Sequence, residues 1–145
     1  MKAQPQEKRM STTTVRLSDY LPPSHLVDEV SLTFRLSAQA TRVLARIRFR
    51  PNPARPGRHD LRLDGEGLRL LSASVAGRAV SALPDDSGLT LGAADLPDGP
   101  FLWEAEVEIA PEGNTALEGL YMSGGMYCTQ CEAEGFRKIT FYPDR

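Results

Sequence analysis

The sequence predicts an all-β fold, an antiparallel sandwich or barrel with one short helix near the C-terminus. Three observations predict it. Apolar and polar residues alternate with period two through the longest patterned stretches, which gives each strand one buried and one wet face. Turn signals recur about every eight to twelve residues, the spacing of short antiparallel strands. No stretch carries the 3.6-residue periodicity of an amphipathic helix of ordinary length.

The first strand runs from Val30, where Val30, Leu32, Phe34 and Leu36 alternate with Ser31, Thr33 and Arg35. After the turn "SAQAT", Val43, Ala45, Ile47 and Phe49 alternate with a row of arginines from Arg42 to Arg50, and the two runs are close enough for a hairpin. "PNPARPG" ends it, because three prolines and a glycine do not sit inside a strand. "HDLRLDG" places Leu61 and Leu63 on one side. "LRLLSASV" is a strand whose apolar phase slips between Leu70 and Leu71, which predicts a bulge. "VAGRAV" reads as a hairpin turning at Gly77, and "GLTLG" as a short strand. From Phe101 to Ile109, apolar residues alternate with Glu104, Glu106 and Glu108, which predicts a wet acidic face able to pair with the arginines. Trp103 falls on the core side. "AEGFRKITF" is the one helical candidate.

The chain has 145 residues and a formal net charge of −2, which suits one soluble domain and points to neither nucleic acid nor an anionic membrane. No apolar run approaches the roughly 20 residues of a membrane helix. The opening "MKAQPQEKRMSTTT" lacks the apolar core of a signal peptide. A cytoplasmic location is expected, with residues 1–14 a disordered lead-in or extension, Met10 an alternative start, and residues 15–145 the domain.

The chemically densest stretch is "GMYCTQCEAEGFRKITFYPD", from Gly125 to Asp144. Cys128 and Cys131 have the spacing of half a structural zinc site, but such a site needs four ligands, and the only histidines, His25 and His59, are far away. A redox dithiol needs a helix N-terminus to stabilise the thiolate, and here the pattern is all-β with Glu132 and Glu134 nearby. The remaining reading is two small buried apolar side chains. His25, after "PP", reads as an exposed turn residue, and His59 as a strand start. No Ser–His–Asp set, Gly-rich phosphate loop or H-E-x-x-H motif is present.

Asn114 to Arg145 closely resembles the end of the N-terminal domain of bacterial aminopeptidase N, a gluzincin-type zinc metallopeptidase. "NTALEGLY" and "CTQCEAEGFR" carry the resemblance, and "YLPPSHLVDEVSLTFRLSAQATRV" resembles the family's opening. The match covers Tyr20 to Arg145 and is loose between Pro51 and Pro100. It implies a β-rich saddle or sandwich packed on a thermolysin-like catalytic domain. It also implies that Gln130 lines the pocket for the substrate's first side chain. Glu132 would bind the peptide's free α-amine beside a glutamate of the catalytic domain's G-A-M-E-N motif. Glu132 is preferred to Glu134 because in an extended stretch it shares a face with Gln130.

The family's catalytic motifs are missing from these residues. The expectation is therefore a single domain of a longer enzyme, with no metal or cofactor of its own and no activity alone; zinc would belong to the parent's catalytic domain. Its partners would be that domain and peptide substrates, with no nucleic acid and no membrane. Without its partner it should expose an apolar patch and a loose segment over residues 124–145. The rival reading is a free-standing β-sandwich interaction module.

Overall fold

The computed structural model describes residues 14–81 and 83–145. The expected lead-in, Met10 included, lies outside the described residues except for Thr14. Among these residues nine strands follow in order: β1 (His25–Arg35), β2 (Thr41–Pro51), β3 (Leu61–Asp64), β4 (Arg69–Val75), β5 (Arg78–Ala79), β6 (Gly88–Leu91), β7 (Phe101–Ile109), β8 (Gly119–Ser123) and β9 (Met126–Gln130). All strand pairings are antiparallel. The main sheet has the order β1-β2-β7-β4-β5, and β3-β6 and β8-β9 form two smaller sheets.

The alternating stretches form the centre. On the β2–β7 ladder, Val43 faces Val107, Ala45 faces Ala105, Ile47 faces Trp103 and Phe49 faces Phe101. All eight are buried in one core with Leu61 and Leu63 of β3 and Leu89 and Leu91 of β6. The opposite face of the same ladder carries the charges. Arg42 pairs with Glu106 at 3.2 Å and Glu108 at 3.0 Å, and Arg46 with Glu104 at 3.5 Å. The predicted match of the arginine row to the glutamates is thus a cross-strand ladder. The predicted bulge is a register shift on β4 between Leu70 and Ser72. The turn at Gly77 is a two-residue hairpin whose centre, Ala76 and Gly77, has φ of 50° and 77°, the geometry that matches strand twist.

Three expectations need correction. β1 starts at His25, five residues earlier than the alternation suggests, so His25 is not an exposed turn residue. It is buried, with its ring edge-on to Phe101 at 5.7 Å and Nδ1 2.9 Å from Ser24 Oγ. Second, Val30 and Phe34 stand on the core side, opposite Ile47 and Val43, yet each is 38% exposed. β1 is an edge strand, and its apolar side extends past the layer that covers β2. Third, the last residues are not loose. Ile139, Thr140 and Phe141 are buried, and Tyr142 exchanges two backbone hydrogen bonds with Asp64, at 2.8 and 3.0 Å. The short C-terminal helix is a single 3-10 turn over Phe136–Lys138. No helix among the described residues is long and apolar enough to cross a membrane.

Candidate functional site

The site stretch begins as a hairpin. β8 and β9 turn at Gly124–Gly125, both with positive φ (56° and 80°), which is why glycine fills both positions. β9 ends at Gln130, opposite Gly119. The chain then leaves the ladder and folds into a turn over residues 132–135, closed by the Gly135 N–H donating to the Cys131 carbonyl at 2.9 Å. Glu132 therefore sits in a turn, and the same-face spacing of an extended strand is not what relates it to Gln130. The link is instead a hydrogen bond, the Gln130 Nε2 donating to the Glu132 carbonyl at 3.3 Å. The Glu132–Ala133 peptide bond is cis.

Two glycines let this turn lie against the start of β8. A Cβ on Gly135 would collide with the Gln130 carbonyl oxygen and sit 2.9 Å from Cys131 Cα and 3.0 Å from the Gly119 nitrogen. A Cβ on Gly119 would lie 2.8 Å from Lys138 Cβ, and Gly119 has φ of 73° besides. The backbones of 119 and 135 thus touch where no side chain fits. Asn114 fixes the incoming loop by donating from Nδ2 to the carbonyls of Glu118 at 2.7 Å and Leu120 at 3.0 Å. Lys138 then pairs with Glu118 at 2.8 Å, a hydrogen bond that raises the lysine pKa above its ordinary value. Arg137, mostly shielded, pairs with Asp144 at 3.1 Å. The two blocks that carry the family resemblance, 114–121 and 128–137, are therefore one contact.

The two glutamates differ. Glu134 lies 3.5 Å from Arg137, three residues on. Glu132 is exposed, and among the described residues no cation pairs with its carboxylate. Gln130 is exposed too. What the arrangement offers is an unneutralised carboxylate and an amide, held a turn apart by a fixed backbone. A cleft of about 380 Å³ lies nearby under the Asn114 loop, between Glu66, Ile109, Leu120 and Lys138, but contains neither residue.

The cysteines are not a buried pair. Cys131 is exposed and Cys128 partly so, and both are free thiols. Cys128 lies on β9 with its Sγ 3.8 Å from the Met126 carbonyl, and a two-stranded hairpin has no interior in which to bury it. Among the described residues no three His, Cys, Asp or Glu side chains converge as metal ligands. His59 does not start a strand; it lies two residues before β3, with Nε2 3.0 Å from the Pro56 carbonyl. Asn114, Gly119 and Gly135 hold the site together, and no local pattern marks them individually. The signal was the repeated Glu-Gly pair before an apolar residue, at 118–120 and 134–136.

No protein-family model matches the chain. Among solved structures, the fold superposes on Legionella pneumophila aminopeptidase A in complex with aspartic acid, with a TM-score of 0.81 and 29% identity over 90% of this chain and 16% of that one. It also superposes on an M1 zinc metallopeptidase of Deinococcus radiodurans bound to a Tyr-Ser-Ala substrate, with a TM-score of 0.68 over 83% of this chain and 29% of the other; at 16% identity this likeness concerns the fold alone. In fold the chain is thus similar to a β-rich part of these longer enzymes. Among sequences, aminopeptidase N of Caulobacter vibrioides is 45% identical over 134 residues, and that of Escherichia coli 44% identical over 129. The chain is a homologue of bacterial aminopeptidase N, in the region of that protein's N-terminal domain. It spans about 15% of the length of these relatives and matches them over 88–90% of its own.

Proposed function

We propose that this chain is the N-terminal domain of a zinc-dependent aminopeptidase, supporting the catalytic domain and supplying two side chains that grip the substrate. Glu132 binds the peptide's protonated α-amine, and Gln130 lines the pocket for its first side chain. The observation that carries this reading is the contrast between the glutamates: Glu134 is engaged by Arg137, whereas Glu132 is exposed and pairs with no cation among the described residues. A carboxylate with no cation on it among the described residues, on a backbone fixed at Gly119 and Gly135, suits an incoming ammonium.

The selectivity follows from charge. A free N-terminus donates a charge-assisted hydrogen bond to the carboxylate, stronger once a second domain excludes water. An acetylated N-terminus carries no charge and leaves the carboxylate uncompensated, so blocked peptides are rejected. Holding the amine also fixes how far the first peptide bond lies from the reacting centre, a positioning effect. Zinc, which would activate the attacking water, belongs to the catalytic domain. The described residues of this chain offer no donor set for it, and their part is to bind and to set register.

The test is made in the full-length polypeptide that carries this domain. Glu132→Gln should lower kcat/KM for an alanyl anilide on the order of 10- to 100-fold, the range for a lost hydrogen bond to a charged group. Glu134→Gln should change it little. Equal effects from the two variants would sink the assignment. The chain alone should release no amine from the same substrate at any zinc concentration.

A further inference from the structure

The two edges of the main sheet are unlike. The β5 edge is two residues long and carries Arg78, a length and charge that discourage further pairing. The β1 edge is eleven residues long. Near its start the ladder with β2 is interrupted by a register shift between Val27 and Glu29, but from Glu29 to Arg35 the pairing is unbroken. Along that run the outer backbone groups have no strand beside them among the described residues. Its core-side residues Val30 and Phe34 are each 38% exposed, and Leu36 just beyond is 54% exposed. An open, regular, partly apolar edge is a template for another strand.

The sequence of this run is complementary to itself. Turn a second copy about a two-fold axis through Leu32, and the antiparallel register sets Leu32 against Leu32. Val30 then faces Phe34 on the core side, and Ser31 faces Thr33 on the other. At the two ends Glu29 faces Arg35. Arg35 has no ion-pair partner of its own among the described residues, and Glu29 only a distant one, Arg48 at 3.7 Å. Moving the axis to Ser31 or Thr33 keeps the faces aligned but unpairs both charges. We propose that β1 is a homotypic docking edge: two copies of this chain join antiparallel over Glu29–Arg35, extending the sheet across a two-fold axis. The self-matching charges commit this edge to a second copy; this is independent of the peptidase reading.

Sedimentation of the 145-residue chain should show a reversible dimer of twice 15.9 kDa as concentration rises. Glu29→Arg and Arg35→Glu, each alone, put like charges opposite each other at both ends and should weaken the dimer on the order of tenfold or more. Mixing the two variant chains restores both attractions, so the mixture should dimerise as the wild type does. Hydrogen exchange on the wild type supplies a check without substitutions: every second amide between Glu29 and Arg35 should gain protection as the dimer fills. A chain that stays monomeric overturns the proposal and gives the edge to some other polypeptide segment. A dimer indifferent to both reversals, or not rescued by mixing, overturns it as well.

Discussion

Gly135 decides where Glu132 can stand. A methyl group there meets the Gln130 carbonyl and the Gly119 backbone at once, none of which is a flexible side-chain end. Gly135→Ala must therefore push the turn off β8, and overpacking of this kind costs about 1–3 kcal/mol. Urea unfolding of the chain should show that loss, and the full-length variant should lose affinity for peptide as Glu132 moves; unchanged values for both would mean the contact is dispensable. His25 offers a pH test at the same scale. Burial, and then the neighbouring His59, hold its pKa below the ordinary 6.5. As pH falls through 6.5 the unfolded chain takes up the proton first, so stability is full above that pH, declines below it, and levels once the folded imidazole is protonated. Unfolding free energies at pH 7.5 and 5.5 should differ in that direction, and His25→Gln should shrink the difference.

The β2–β7 ladder sets two kinds of interaction side by side. Its inner face buries Ile47 against Trp103 with no exposure of either, and its outer face joins Glu108 to Arg42 and Arg69 at 3.0 and 2.7 Å in the presence of water. Ile47→Ala should cost about 2–5 kcal/mol, through lost burial and the cavity left behind. Glu108→Gln should cost far less and lose its effect in molar salt, because exposed pairs are screened. Denaturation of both variants at low and high salt separates the two; a salt-insensitive Glu108 effect would contradict the assignment. This ladder was the most legible part of the sequence, because a strand covered on one face writes its burial directly as a period of two. β1 has the same alternation, yet its apolar side is partly exposed, since no residue within a strand records whether another layer lies beyond it. The hairpin at Gly77 and the β4 bulge were legible from local chemistry alone. The turn holding Glu132 was not: it depends on Gly119 and Gly135 touching, sixteen positions apart, and Gln130 and Glu132 themselves entered through resemblance rather than pattern.

At the scale of the molecule, the site stretch is held from both sides. Upstream, Asn114 and Leu120 tie β8 to the body; downstream, the last residues dock on β3. Asp64 is the hub of that second attachment, exchanging backbone hydrogen bonds with Tyr142 and accepting from the Asp144 N–H at 2.9 Å. Phe141 fills the space over Gly65, so close that a Cβ on Gly65 would overlap its ring. Contacts between residues some eighty positions apart leave no trace in local periodicity, so this anchoring is not legible in the sequence, where the segment's only apparent support is an absent partner domain. They also couple the site to the core. Phe141→Ala should cost about 3–5 kcal/mol, the range for a buried phenylalanine. It should also release the residues between Gln130 and Tyr142, whose amides would exchange hydrogen faster than those of β2 and β7. A segment that merely rested on the surface would respond differently: its own amides would exchange faster in the variant, and the urea midpoint would stay where it was. The combined result, a lower midpoint with loosening confined first to 130–142, is what a site anchored through the core requires.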